Sequence, residues 1–155
     1  MTTPTRVAGS RSRGFTLIEL LIALAIVAIL VRIAFPSYQA YIVRSSRQAA
    51  QSELVALANA QERIFLNSNK YVKGTDNIKK AYDGTSTGGL GVKDGKSKDL
   101  RYQFSFFSDA DTAFTLKATA IGAQAGNGDL TIAETGQQIW IRGSDNYTWD
   151  GRKIP

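Results

Sequence analysis

The sequence predicts an α+β fold: one long N-terminal α-helix, its first half transmembrane and its second half amphipathic, packed on a C-terminal antiparallel β-sheet. Three observations carry this expectation. Phe15 to Val31 is an apolar run of 17 residues holding a single charge, Glu19. Residues 36–66 continue in helix-forming composition, with apolar residues at spacings of three and four. Beyond residue 100, four short runs alternate apolar and polar positions, as half-buried strands do.

The apolar run comes first. A helix of that length rises about 26 Å, just short of a ~30 Å hydrocarbon core. Extending it through Ile33, Ala34 and Phe35 covers the thickness, with Arg32 snorkelling toward the far interface. The segment 15–35 is therefore read as the membrane-spanning helix. The basic flank Arg11-Ser-Arg13 before it favours an N-terminus held in the cytoplasm. No small-residue cleavage site follows the run, which argues against an ordinary secretory signal.

Residues 36–66 are read as the amphipathic helix. Ala50, Leu54, Leu57, Ala58, Gln61 and Phe65 recur on one face, and that stripe is expected to lie against the sheet. The two helical segments together make roughly 50 residues and roughly 75 Å, interrupted only at Pro36, where a lost hydrogen bond favours a kink. Asn67-Ser-Asn69 supplies the stop.

Residues 67–100 read as a long irregular Gly/Lys-rich connection with few apolar anchors, containing six glycines between residues 74 and 100. Lys70, Lys73, Lys79, Lys80, Lys93, Lys96, Lys98 and Arg101 place eight cations near four carboxylates, Asp76, Asp83, Asp94 and Asp99. Such a cluster suits phosphate contacts, and Tyr71, Tyr82 and Tyr102 are candidates for stacking on bases. A solvated surface loop is the competing reading.

The sheet occupies 101–155 together with a C-terminal loop. Its expected strands are RYQFSFF, AFTLKATA, DLTIAE and QQIWIR, with Tyr102, Phe104, Phe106, Phe114, Leu116, Ala118, Leu130, Ile132, Ile139 and Ile141 as the apolar alternates. Asp109-Ala-Asp111 and Thr135-Gly136 are short enough to close antiparallel hairpins.

Composition narrows function. The 155 residues include no Cys and no His. A Ser-His-Asp or Cys-His site cannot be built, and a zinc site would need carboxylates alone. No carboxylate pair stands out either, so no catalysis, cofactor or metal is expected. The net charge is +6, with 19 basic and 13 acidic residues. Arg6, Arg11 and Arg13 precede Gly14, so a chain starting at Phe15 has 19 − 3 = 16 basic residues and a charge of +3.

RGFTLIELLIALAIVAIL followed by FPSYQAYIVRSSR resembles the N-terminus of type IV pilins and the related type II secretion pseudopilins, through Gly14 to Leu20, Pro36, Tyr38, Tyr41 and Arg44. The resemblance implies a type IV pilin fold, a leader peptide at 1–14 and a role for 15–35 as the filament-core helix. It implies that a prepilin peptidase cuts between Gly14 and Phe15 and methylates the Phe15 amine. Other pilin subunits, an inner-membrane assembly platform and, before assembly, the lipid bilayer are the implied partners. The end point is an extracellular pilus for adhesion, twitching motility or DNA uptake, with a DNA-binding competence pilin and a secretion pseudopilin as alternatives. A carboxylate inside a membrane helix costs about 2.5–3.5 kcal/mol, which marks Glu19 as functional. Its expected partner is the Phe15 amine of a neighbouring subunit, a charge that exists only after cleavage. Arg32 departs from the family pattern, where that position is small and apolar.

The stretch AFTLKATAIGAQAGNGDLTIAETGQQ resembles the C-terminal sheet of PilE-like minor pilins. Those proteins carry a disulfide whose cysteines would fall near Gly126-Asn-Gly128 and about Thr148. Both are missing here, and Trp140, Tyr147 and Trp149 are the expected compensation by burial.

Overall fold

The computed structural model describes residues 14–155, so the expected leader, with Arg6, Arg11 and Arg13, lies outside the described residues except for Gly14. Among the described residues it shows one α-helix, α1, Leu17–Ser68, and five strands: β1 Tyr102–Asp109, β2 Phe114–Ala120, β3 Asp129–Ala133, β4 Gln138–Arg142 and β5 Asp145–Thr148. The strands form one antiparallel meander in the order β1-β2-β3-β4-β5. The chain divides into two units, one ending at Ala40 and a compact one from Tyr41 to Pro155.

In the first unit, α1 is long and apolar enough to cross a membrane. Its large apolar side chains are exposed along the run, from Leu17 at 77% to Phe35 at 57%. A surface of that kind, apolar on every side, requires lipid or other apolar helices around it. Pro36 lies inside α1 without ending it.

In the second unit, α1 lays its stripe on the sheet. Ala50, Leu54, Leu57, Ala58 and Ile64 join Tyr102, Phe104, Phe114, Leu116, Ala118, Leu130 and Ile132 in one buried cluster. Ile64 belongs to the stripe although its spacing did not single it out, and Phe65 packs at the margin. The helix stops as expected: Asn69 turns to φ 55° and its N–H donates to the Phe65 carbonyl at 2.8 Å, a left-handed cap that asparagine tolerates. The β1–β2 and β3–β4 connections are hairpins at the expected places, closed by Ala110 N–H to Ala113 and Gly136 N–H to Ala133.

Three details correct the sequence reading. First, Leu130 faces Trp140 and Thr131 faces Ile139 across the β3–β4 ladder, so the inward residue of β4 is Trp140. Ile139 and Ile141 occupy the opposite face, because side chains alternate and a one-residue slip reverses them all. Second, β5 is a fifth strand in what reads as C-terminal loop. The chain beyond it folds back through Thr148 N–H to Arg152 and Ile154 N–H to Asn146. Third, the connection after α1 is anchored. Val72, Ile78 and Leu90 are buried, and residues 77–81 pair with 89–92 through four backbone hydrogen bonds of 2.8–3.1 Å.

Candidate functional site

The N-terminal site is built from the first described residues. Gly14, Phe15 and Thr16 precede the helix, so the Gly14–Phe15 peptide bond lies in irregular backbone. Thr16 starts α1: its hydroxyl accepts the Glu19 N–H at 3.3 Å and its carbonyl accepts the Leu20 N–H at 3.2 Å. This satisfies one of the donors that a helix start leaves open. Glu19 falls in the first turn, where a carboxylate is favoured by the helix dipole. Gly14, Phe15, Thr16 and Glu19 border one shallow concavity of about 550 Å³. Phe15 is 78% exposed.

The basic connection separates into unlike parts. Lys70 and Lys73 both pair with Asp111, at 3.4 and 2.5 Å, and Lys79 pairs with Asp76 at 3.8 Å. Hydrogen bonding to Lys73 and then Lys70 holds the Asp111 carboxyl below its usual range. Arg101 is half-buried, its main-chain N–H donating to Ser97 and Asp99, and Lys80 is exposed. Lys93, Lys96 and Lys98 come together. They rim a groove of about 710 Å³ beside α1, above Leu57, Leu90, Val92 and Phe104, with Glu53 and Asp94 also at its edge. Among the described residues these three lysines form no ion pair. Leu100, at the same rim, is 65% exposed at φ 58°, a conformation leucine rarely adopts.

Two of the three candidate stacking tyrosines are removed by the fold. Tyr71 is buried with its hydroxyl on Glu62 at 3.0 Å, and Tyr102 is fully buried with its hydroxyl accepting from Gln124 at 3.1 Å. Both serve the core, and Tyr82 alone of the three is exposed.

The region where cysteines are missing is held by tryptophans. The Trp140 indole donates to the Asn127 carbonyl at 2.9 Å, tying the Gly126–Gly128 loop to β4. The Trp149 indole donates to the Ile139 carbonyl at 3.1 Å, tying the chain after β5 to the same strand. Both rings are half-buried and pack against the core cluster. Thr148, near the second missing cysteine, joins Asp150 and the Arg152 N–H in a closed turn.

Comparison with known proteins agrees with this architecture. Residues 36–131 match the family described as type IV minor pilin ComP, DNA uptake sequence receptor, and residues 9–34 match the prokaryotic N-terminal methylation motif. A fimbrial protein of Pseudomonas aeruginosa is 33% identical over 132 residues, covering 83% of this chain and 82% of that protein. The type IV major pilin protein PilA of Myxococcus xanthus is 44% identical over 61 residues, which span 39% of this chain and 28% of PilA. A type II secretion system core protein G of Pectobacterium carotovorum is 31% identical over 72 residues, 46% of each chain. With the apolar methylation-motif helix, the antiparallel meander and a match across more than half its length, the chain belongs to the type IV pilin family.

Proposed function

We propose that the chain is inserted in the inner membrane with its N-terminus in the cytoplasm and cut by a prepilin peptidase between Gly14 and Phe15. Methylation of the new Phe15 amine and passage through an assembly platform would place it in a surface filament, as a subunit without catalysis of its own. The observation that carries this is Glu19, one carboxylate in an exposed apolar helix, a single turn from the residue that becomes the N-terminus. A buried charge is expensive alone and tolerable when paired. In a core of packed helices, Glu19 of one subunit and the Phe15 amine of the next neutralise each other and set the axial register. Because cleavage creates the amine, maturation becomes a condition for assembly.

The test compares membrane level, cleavage and filament incorporation of Glu19→Ala and Glu19→Asp. Glu19→Ala should insert at least as well, having shed a penalty of about 2.5–3.5 kcal/mol, yet join filaments poorly. Glu19→Asp should be intermediate. Normal incorporation of Glu19→Ala beside wild-type subunits would refute the pairing, and a cleavage defect would move the role of Glu19 to the peptidase.

Two observations favour a second reading, in which the filament also binds DNA: the family description over residues 36–131 and the lysine-rimmed groove. Neutralising Lys93, Lys96 and Lys98 should flatten the dependence of log affinity on log salt by about 0.9 for each phosphate that a lysine no longer reaches. Unchanged binding in that variant would return the groove to ordinary solvated surface. A secretion pseudopilin is the weaker alternative, because its likeness spans less of the chain than that of the fimbrial protein.

A further inference from the structure

A second cationic surface lies on the compact unit, away from the lysine-rimmed groove in sequence and built from different elements. Arg47 of α1 is half-buried and lays its guanidinium 4.0 Å from the centre of the Trp140 ring. Arg142, two residues beyond Trp140 and so on the same face of β4, lies 5.8 Å from that ring. Arg44, three residues before Arg47 on α1 and exposed, completes the cluster. Tyr147, opposite Trp140 on β5, packs on the indole with ring centroids 5.4 Å apart.

The cluster lacks a counter-ion. Among the described residues none of these arginines pairs with a carboxylate. Asp145, opposite Arg142, is held by Lys153 at 2.9 Å. Burial, and after it the neighbouring Arg44 and Arg142, lower the Arg47 pKa from its ordinary value, with Tyr102 acting the other way. Three like charges gathered on one face repel, and Asp145, the carboxylate facing Arg142 across the ladder, is paired with Lys153. Trp140 lies within cation–π range of Arg47, a contact that uses none of its hydrogen-bond donors. The guanidinium keeps the N–H fork that grips a phosphate by two hydrogen bonds.

We propose that Arg44, Arg47 and Arg142, set around Trp140, form a phosphate-contacting surface for DNA, separate from the lysine-rimmed groove. This rests on the DNA reading above and adds to it a second set of contacts. A polyanion is favoured over a second copy of the chain. The chain carries +6 as made and +3 from Phe15 onward, so a copy offers no net complement. Duplex DNA presents a negative charge about every 1.7 Å along its axis and can meet several guanidiniums at once.

The experiment measures binding of a fluorescent DNA duplex to the full processed chain in non-ionic detergent, across a salt series. The variants are Arg44→Gln/Arg142→Gln, both exposed side chains, and Arg47→Lys, which keeps the charge but loses the planar fork. The double variant should melt as wild type does and flatten the salt slope by roughly 1.8, about 0.9 for each arginine replaced. Arg47→Lys should keep the slope and bind several-fold more weakly. If wild type binds and the double variant keeps the full slope, the arginine surface is refuted while the DNA reading stands on the lysines. If wild type fails to bind at low salt, the DNA reading itself falls and takes this surface with it. If the double variant binds DNA normally but loses binding to phosphatidylglycerol vesicles, the surface belongs to lipid phosphate and the proposal is overturned.

Discussion

Gln61, fully buried on α1, makes both main-chain hydrogen bonds of Val72: its Nε2 donates to the Val72 carbonyl at 2.8 Å, and the Val72 N–H donates to its Oε1 at 2.9 Å. The side-chain amide stands in for a neighbouring strand. It fixes the start of the long connection onto the helix and satisfies two groups that burial would otherwise strand. Gln61→Leu removes both partners at once. At about 1–3 kcal/mol per unsatisfied buried group, the variant should lose roughly 2–6 kcal/mol. Urea unfolding checks this through a lower midpoint at unchanged slope, and a midpoint equal to wild type would show that water replaces the amide.

Tyr71 should set an alkaline limit to stability. Its ring stacks on Phe65 at 4.6 Å and meets Phe114 edge-on at 4.8 Å. Burial, and then its hydrogen bond to Glu62, push its pKa from 10.0 up to about 12. The folded state thus holds this proton more tightly than the unfolded state. The resulting stability is complete below pH 10 and is lost as the pH rises through about 12. Burial also pushes the Tyr102 hydroxyl up, so phenolate absorbance should show both tyrosines titrating late, and Tyr71→Phe should remove one of the two late contributions. Late amplitude unchanged in Tyr71→Phe would contradict the assignment to Tyr71.

Gly128 tests how the loop is held without a disulfide. It sits at φ +92°, and a Cβ there would press on the Trp140 indole nitrogen and the Ile141 carbonyl. Gly128→Ala should therefore cost about 1–3 kcal/mol from backbone strain, with the clash added. Trp140→Phe, which loses the bond to Asn127 while keeping a ring, should cost about 1 kcal/mol for the hydrogen bond. Neither stability should respond to reductant. A Gly128→Ala protein as stable as wild type would show that the loop is not fastened through Trp140.

Much of the fold was legible because apolar spacing is unambiguous where one face is buried. The α1 stripe, the Asn69 stop and the two hairpins follow from spacing and turn chemistry. The face of β4 did not, because Ile139, Trp140 and Ile141 are three consecutive apolar residues and alternation chooses neither set. The fifth strand was hidden because Asp145-Asn-Tyr-Thr148 is largely polar, and its pairing comes from backbone groups rather than from an apolar face. At the N-terminus, Glu19 was conspicuous as the single charge in an apolar run. The arginine surface was not, since Arg47 and Arg142 meet only when α1 and β4 pack around Trp140. The tyrosines of the basic connection misled for the converse reason: aromatic residues beside lysines suggest stacking, but Tyr71 and Tyr102 are drawn into the core.

The most direct measurement is mass spectrometry of filaments shed from cells that produce this chain. The account predicts that the chain is present in them and that its N-terminal peptide begins at Phe15 bearing a methyl group on its amine. Gly14→Ala, or a bulkier residue there, should leave the precursor in the inner membrane. Filaments whose subunits retain Arg6 to Gly14, or whose Phe15 is neither exposed nor methylated, would contradict it.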